Sequence, residues 1–213
     1  KEGLLTTKGS SYKSVPMDRK KMKELLNLGD TAFKSFLKNC KDNELIYEVD
    51  KKFYINTKYF NKGNIENIEG NKSYCRLFIE PIRALYEGCK STKHKVLSSI
   101  YQLIPYIHYE HNIVCHNPCE PTDTPKAITL KELCEMFDID YKNSNKLAKS
   151  LYEFKVNIKG IDYHLFTYVI LNAQYDYFVV NPLVIYSGNN LESIKRISKA
   201  MFFNEYTHRQ KRK

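Results

Sequence analysis

One apolar spacing occurs twice in this chain, and it constrains the fold more than any other feature. From Asp18 to Asn27, Met22, Leu25 and Leu26 fall on one side of a helix. Leu28-Gly29-Asp30 interrupts the pattern, with Asp30 as the expected N-cap of a second helix, Thr31 to Lys41. The buried side of that helix is Phe33, Phe36, Leu37 and Cys40. At an offset of 111 residues, Leu133, Met136 and Phe137 take the places of Met22, Leu25 and Leu26. Ile139 takes that of Leu28, and Leu147, Ala148 and Leu151 take those of Phe36, Leu37 and Cys40. Two short helices joined by a tight turn make a helix-turn-helix, and the spacing through the turn is the same in both copies.

A hairpin follows the first copy. Leu45 to Val49 alternates, Asp50-Lys51 reads as a turn, and Phe53-Tyr54-Ile55 returns, which is where a wing belongs. Beyond the wing the offset becomes 125: Phe178-Val179-Val180-Asn181 matches Phe53-Tyr54-Ile55-Asn56, and Gly188-Asn189 matches Gly63-Asn64. The 14 additional residues predict a longer second wing, through Tyr163 to Leu171, Asn172-Ala173-Gln174 and Tyr175 to Val180. The expected fold is α+β, with tandem winged helix-turn-helix units, each a small helical core with a β-hairpin wing. The alternative is one winged helix with an unrelated N-terminal module.

The expected layout is a first unit at 1–64, a connector at 65–92, a second unit at 93–190 and a C-terminal helix with a basic tail at 191–213. Asn61 to Ser73 is polar and Gly/Asn-rich, hence a loop. Pro81 suits the first turn of a helix to Cys89. Ser91-Thr92 caps a helix from Lys93 to about His108, whose stripe is Val96, Leu97, Ile100, Leu103, Ile104 and Ile107, with a kink expected at Pro105. Prolines 118, 121 and 125 mark a loop before a helix at Thr129. Leu191 to Phe203 reads as amphipathic, and Thr207 to Lys213 as a basic tail.

Charge points to the partner. Lys and Arg number 34 against 24 Asp and Glu, a net charge of +10, which favours a polyanion. The longest near-apolar stretch, Leu165 to Leu171, is far short of the roughly 20 residues that span a bilayer, so no membrane partner is expected. The six cysteines read as reduced thiols, so a cytoplasmic protein is expected.

In a helix-turn-helix the second helix enters the major groove, its N-terminal half nearest the base edges. With Leu147, Ala148 and Leu151 buried, the opposite face presents Lys142, Asn143, Asn145, Lys146 and Lys149, with no acid between Lys142 and Leu151. Asn pairs bidentately with adenine, and Lys reaches guanine or phosphate. The first unit presents Thr31, Lys34, Ser35, Lys38 and Asn39, equally free of acids from Thr31 to Lys41. Any solvated helix can carry such a face; two at matched places after a helix-turn-helix favour duplex DNA. Lys51 and Lys52 suit phosphate contact at the first wing, Lys155 and Lys159 flank the start of the second, and Arg209, Lys211, Arg212 and Lys213 add charge at the tail.

Other chemistries lack their signatures. Cys115-His116-x-x-Cys119, with His108 and His111, offers one compact group where a structural zinc site uses two separated pairs. There is no GxxxxGK loop and no carboxylate cluster for two-metal chemistry, and the tyrosines sit mostly in apolar patterns. No enzyme activity and no cofactor is expected.

The segments His94 to Tyr109, Cys115-His116-Asn117-Pro118, Ile128 to Cys134 and Val180-Asn181-Pro182-Leu183-Val184-Ile185-Tyr186-Ser187-Gly188-Asn189 resemble winged-helix DNA-binding proteins of Firmicute phages and plasmids. The asparagine-proline to tyrosine-x-glycine ending is similar to that of RepL-type replication proteins. The resemblance covers about residues 93 to 190; the first copy has Asn56-Thr57 where the second has Asn181-Pro182. It implies a DNA binder of a mobile element, in transcription control or replication initiation. The expected function is therefore sequence-specific double-stranded DNA binding as a transcriptional regulator, the two helices reading neighbouring groove segments. Replication initiation at origin repeats is the first alternative and a protein-interaction module the second. Further expected partners are transcription or replication machinery and a second copy through Leu191 to Phe203.

Overall fold

The computed structural model describes residues 3–8, 14–60, 74–90, 93–158, 160–172, 175–188 and 190–210. The chain is mixed α+β, built from helices and small antiparallel hairpins, and divides into two compact units, Lys1–Gly70 and Asn71–Lys213.

In the first unit, β1 (Thr6–Lys8) pairs with β2 (Ser14–Pro16), Thr6 opposite Pro16. Helix α1 (Arg19–Leu26) starts at Asp18, whose carboxylate accepts the Lys21 amide at 2.9 Å and satisfies a donor the helix cannot. Helix α2 (Asp30–Asp42) is entered through extended backbone at Gly29. Asp30 is thus the first helical residue, not the N-cap expected from sequence; its carboxylate is held instead by the Lys23 ammonium at 2.5 Å. Strands β3 (Ile46–Val49) and β4 (Lys52–Ile55) form the hairpin. The N-terminal segment lies along β4: Leu5 N–H donates to Phe53 O at 2.9 Å and Ile55 N–H to Gly3 O at 2.8 Å. Met17, Met22, Phe33, Leu37 and Phe53 form a small buried core.

The second unit opens with β5 (Arg76–Leu77) and α3 (Ile79–Gly88), which has Pro81 in its first turn. Both fall in the stretch expected to be connector, yet Leu85 is buried in the core of this unit. Helix α4 (His94–Leu103) is shorter than its apolar stripe suggested and tightens into a 3₁₀ turn, Ile104–Tyr106. Pro105 lacks the amide hydrogen an α-helix needs there. Ser91 and Thr92, the expected caps of α4, lie outside the described residues. Helix α5 (Leu130–Met136) begins at a reciprocal capping box between Thr129 and Glu132. A 3₁₀ turn at Tyr141–Asn143 then leads into α6 (Ser144–Tyr152).

Two hairpins follow α6, β6 (Lys155–Ile158) with β7 (Ile161–His164), and β8 (Phe166–Asn172) with β9 (Tyr175–Val180). The single long wing expected from Tyr163 onward is therefore two structures, and Tyr163 pairs with Val156 in the first. The division falls at Leu165, which is fully buried and whose amide returns to Phe154 O at 2.9 Å, pinning the strand where it leaves β7. Strand β10 (Ile185–Tyr186) pairs with β5, and α7 (Leu191–Gln210) ends the described fold. Ile197 and Met201 of α7 are buried with Ile113, Val169, Tyr177 and Val179, so this apolar face is covered within the unit.

The internal repeat extends to the backbone bonds. Val114 N–H donates to Phe178 O and Val180 N–H to Asn112 O, both at 2.9 Å, as Leu5 and Ile55 do with Phe53 and Gly3. Ile128 N–H donates to Val114 O, as Met17 does to Leu5 O. Asn181 N–H donates to Leu165 O, as Asn56 does to Leu45 O. Gly3 and Asn112 also share positive φ, at 80° and 55°. These matches make β8–β9 the counterpart of β3–β4 and leave β6–β7 without one among the described residues of the first unit.

Candidate nucleic-acid interface

The turn between the helices of each pair directs the second helix, and the two turns close with the same pair of backbone bonds. Asn27 and Asp138 end α1 and α5 in left-handed conformation, with φ of 50° and 53°. Asn and Asp tolerate that region better than other side chains with a Cβ. Asn27 N–H donates to Glu24 O at 3.1 Å and Asp138 N–H to Glu135 O at 3.2 Å. One residue later, Leu28 N–H donates to Lys23 O at 3.3 Å and Ile139 N–H to Cys134 O at 2.8 Å. This double closure reverses the chain and satisfies carbonyls at the helix end. Leu28 and Ile139 then pack against their respective cores.

In α2 the burial of Phe33 and Leu37 leaves Thr31, Lys34, Ser35 and Lys38 exposed, all on the side predicted from sequence. No ion pair engages Lys34 or Lys38 among the described residues. Behind this face, Glu48 of β3 accepts from Arg19 at 3.0 Å and Lys41 at 2.7 Å. The Arg19 hydrogen bond, then that of Lys41, lowers the Glu48 carboxyl to about 2. The hairpin turns at Asp50 and Lys51, both with positive φ, 50° and 59°, as the two central residues of a type I′ turn require. Lys51 and Lys52 stand exposed at its tip.

In the second unit the expected face is present with one change in its backbone. Lys142 and Asn143 lie in the 3₁₀ turn ahead of α6, not in an α-helical first turn. Asp140 caps that turn: its carboxylate accepts the Lys142 amide at 3.0 Å and holds the Lys142 ammonium at 2.8 Å. The Lys142 side chain, then its amide, keeps the Asp140 carboxyl below its ordinary range. Asn145, Lys146 and Lys149 follow on α6, exposed opposite the buried Ser144, Leu147 and Leu151. Asn143 sits at the N-cap position without using its side chain as a cap. Sequence reasoning passed over Tyr141, which stands 58% exposed in the same turn as Lys142 and Asn143. Its place directly after the Asp140 cap was the available signal.

The hairpins that follow α6 differ from the chemistry expected of a second wing. Lys155 is exposed on β6, in the additional hairpin, and Lys159 lies outside the described residues. Residues 165–180, which contain β8–β9, include no Lys or Arg.

The metal-like spacing has local uses. His108 is fully buried; its Nε2–H donates to Glu120 O at 2.9 Å, and its Nδ1 accepts the Glu110 and His111 amides at 3.2 and 3.3 Å. Burial pushes the His108 pKa down, favouring this neutral form. His111 Nε2 lies 3.1 Å from Thr122 O, and His116 lies 3.0 Å from Glu132 on the surface. Burial raises the Cys115 thiol to about 11. Among the described residues, no three His, Cys, Asp or Glu side chains gather as a metal site.

The glycine of the asparagine-proline to tyrosine-x-glycine segment has a packing reason. A Cβ at Gly188 would lie 2.5 Å from the Tyr186 hydroxyl oxygen and 2.8 Å from its ring carbon Cζ, as well as against the Tyr109 carbonyl. Asn181 anchors the other end, donating from its side chain to His164 O at 3.0 Å. No helix among the described residues is long and apolar enough to cross a membrane. Comparison with protein-family models, with curated proteins and with solved structures finds no match for this chain.

Proposed function

We propose that this chain is a sequence-specific double-stranded DNA-binding protein whose two units are winged helices, α2 and α6 being their recognition helices. The observation that carries the reading is the repeated turn at Asn27-Leu28 and Asp138-Ile139, each followed by a helix with an exposed cationic side and no acid from Thr31 to Lys41 or from Lys142 to Leu151. A helix presented in this way fits the major groove, where amides read base edges and ammonium groups meet phosphates. The net charge of +10 supplies the long-range attraction, and binding is expected to weaken steeply with salt as counterions are released.

Control of transcription is the role we assign. Replication initiation is the second reading, favoured by the likeness of Val180 to Asn189 to the ending of RepL-type proteins.

The test is equilibrium binding to a duplex selected by the chain from a random pool, with single-stranded DNA and duplex RNA as competitors. Replacing Asn145 and Lys146 together by Ala is expected to weaken binding to the selected duplex by about ten-fold or more, with an unchanged circular dichroism spectrum. Unaltered affinity would remove α6 from the interface, and preference for either competitor would overturn the duplex DNA reading. Mapping bound sites in the source genome separates promoters from directly repeated origin sites.

A further inference from the structure

The N-terminal halves of the two proposed recognition faces are built from different chemistry; the one carboxamide on the α2 face, Asn39, lies in the second half of that helix. In α2 the N-terminal half offers the hydroxyls of Thr31 and Ser35 beside Lys34. A hydroxyl donates or accepts and so discriminates little between bases. Around the start of α6 the polar groups are instead the carboxamides of Asn143 and Asn145. A carboxamide presents one donor and one acceptor at fixed separation, which matches adenine N6 and N7. Both side chains are exposed, and neither amide has a hydrogen-bond partner among the described residues. Asn143 occupies the N-cap position, where a side-chain oxygen ordinarily closes on the helix amides, yet it makes no such bond. The exposed Tyr141 ring in the same turn adds an apolar surface of the kind that contacts a thymine methyl.

The wings differ in charge while the two helix faces do not: Lys146 and Lys149 of α6 are as exposed and as free of ion pairs among the described residues as Lys34 and Lys38 of α2. Lys34, Lys38, Lys51 and Lys52 of the first unit are exposed and make no ion pair among the described residues. The first wing therefore carries two free ammonium groups. Its counterpart β8–β9 lies in a 16-residue stretch, 165–180, with no Lys or Arg, and buries Val179 under α7. On the second face the Lys142 ammonium is already held by Asp140.

Building on the proposed duplex binding, we infer that the units divide the labour. The second unit selects sequence, reading A·T base pairs in the major groove through Asn143, Asn145 and Tyr141. The first unit supplies sequence-independent hold on the phosphate backbone through Lys34, Lys38, Lys51 and Lys52.

Two variants of the full chain test this against the selected duplex and a scrambled duplex of equal length, over a salt series. Replacing Asn143 and Asn145 by Ala is expected to cost about ten- to hundred-fold on the selected duplex, with scrambled binding and salt slope unchanged. Replacing the four lysines by Ala is expected to weaken both duplexes alike and to reduce the slope of log affinity against log salt by about 3 to 4. The inference is overturned if the amide variant keeps its preference for the selected duplex. It is equally overturned if the lysine variant loses preference while keeping the slope. The selected site carries a third check: changing its A·T pairs to G·C is expected to abolish preference in the wild-type chain. If the wild-type chain shows no salt-dependent binding to either duplex, the duplex reading itself fails, an outcome distinct from a wild type that binds and variants that contradict the division.

Discussion

Glu48 and Tyr168 occupy the same place in the two hairpins, each cross-strand from a buried phenylalanine, Phe53 and Phe178. In the first unit the position is a carboxylate that ties α1 to α2 through Arg19 and Lys41. In the second it is a ring packed 4.6 Å from Phe178, its hydroxyl hydrogen-bonded to Asp176. The surroundings explain the exchange. The first core is confined to Met17, Met22, Phe33, Leu37 and Phe53, with Leu5, Leu26, Leu28, Phe36 and Ile46 partly covering it. The second recruits α3, α4 and both hairpins around Ile100, Leu103, Leu133, Leu151, Phe166 and Phe178. One backbone frame is thus closed partly by ion pairs where apolar cover is short, and by aromatic packing where it is ample.

Removing the shared phenylalanine strains this contrast most. Phe53→Ala and Phe178→Ala each delete a fully buried ring, a change that costs roughly 3–5 kcal/mol. A small core commonly supplies no more than about 3–5 kcal/mol in all. Phe53→Ala is therefore expected to unfold the first unit at room temperature while the second remains folded, and Phe178→Ala to leave both folded with the second unit's melting point lowered. Residue-resolved amide exchange reads the two separately; equal loss of protection in both variants would dissolve the distinction.

Acid has a smaller effect and sharpens the comparison. Glu48 titrates near 2 when folded against an ordinary 4.5, so its contribution is present above about 4.5 and is lost as pH falls toward 2. The lowered carboxyls of Asp18 and Asp30 act in the same direction. Glu48→Gln is expected to destabilise the first unit at neutral pH and to flatten its stability between pH 4.5 and 2, leaving the second unit's curve unchanged. Denaturant midpoints measured across that range check it. A variant with the wild-type acid slope would show that the ion pairs contribute nothing there.

The smallest change tests what the units share. Asn27→Gly and Asp138→Gly remove a side chain from left-handed backbone at equivalent turns. Both are expected to stabilise their own unit, Asp138→Gly by about 0.5–1 kcal/mol and Asn27→Gly by less, since Asn tolerates this conformation well. Thermal melts of the two variants measure it. Opposite signs would mean that the turns are not equivalent.

Much of the proposed interface could be read before any coordinates. The period of Phe33, Phe36 and Leu37 fixes which side of α2 is buried, and the exposed Thr31, Lys34, Ser35 and Lys38 follow by exclusion. The same holds for Asn145, Lys146 and Lys149 opposite Leu147 and Leu151. Leu25, read with Met22 and Leu26 on the apolar side of α1, is instead half exposed. The backbone of Lys142 and Asn143 was not legible, because an Asp cap such as Asp140 or Asp18 precedes a 3₁₀ turn and an α-helix alike. The β6–β7 hairpin was hidden because its residues alternate like the strand that follows; the break depends on Leu165 entering the core, a long-range event.

Local sequence by itself determined the helices, their turns and the outward placement of the cationic faces, since these follow from side-chain period and left-handed caps within a few residues. Tertiary structure alone decided that Gly3 to Leu5 and Asn112 to Val114 lie along β4 and β9, that Glu48 binds two helices at once, and that α7 covers the second hairpin. Strand partners and ion pairs distant along the chain leave no period in the sequence. Each is selected by what the rest of the unit leaves uncovered or unpaired.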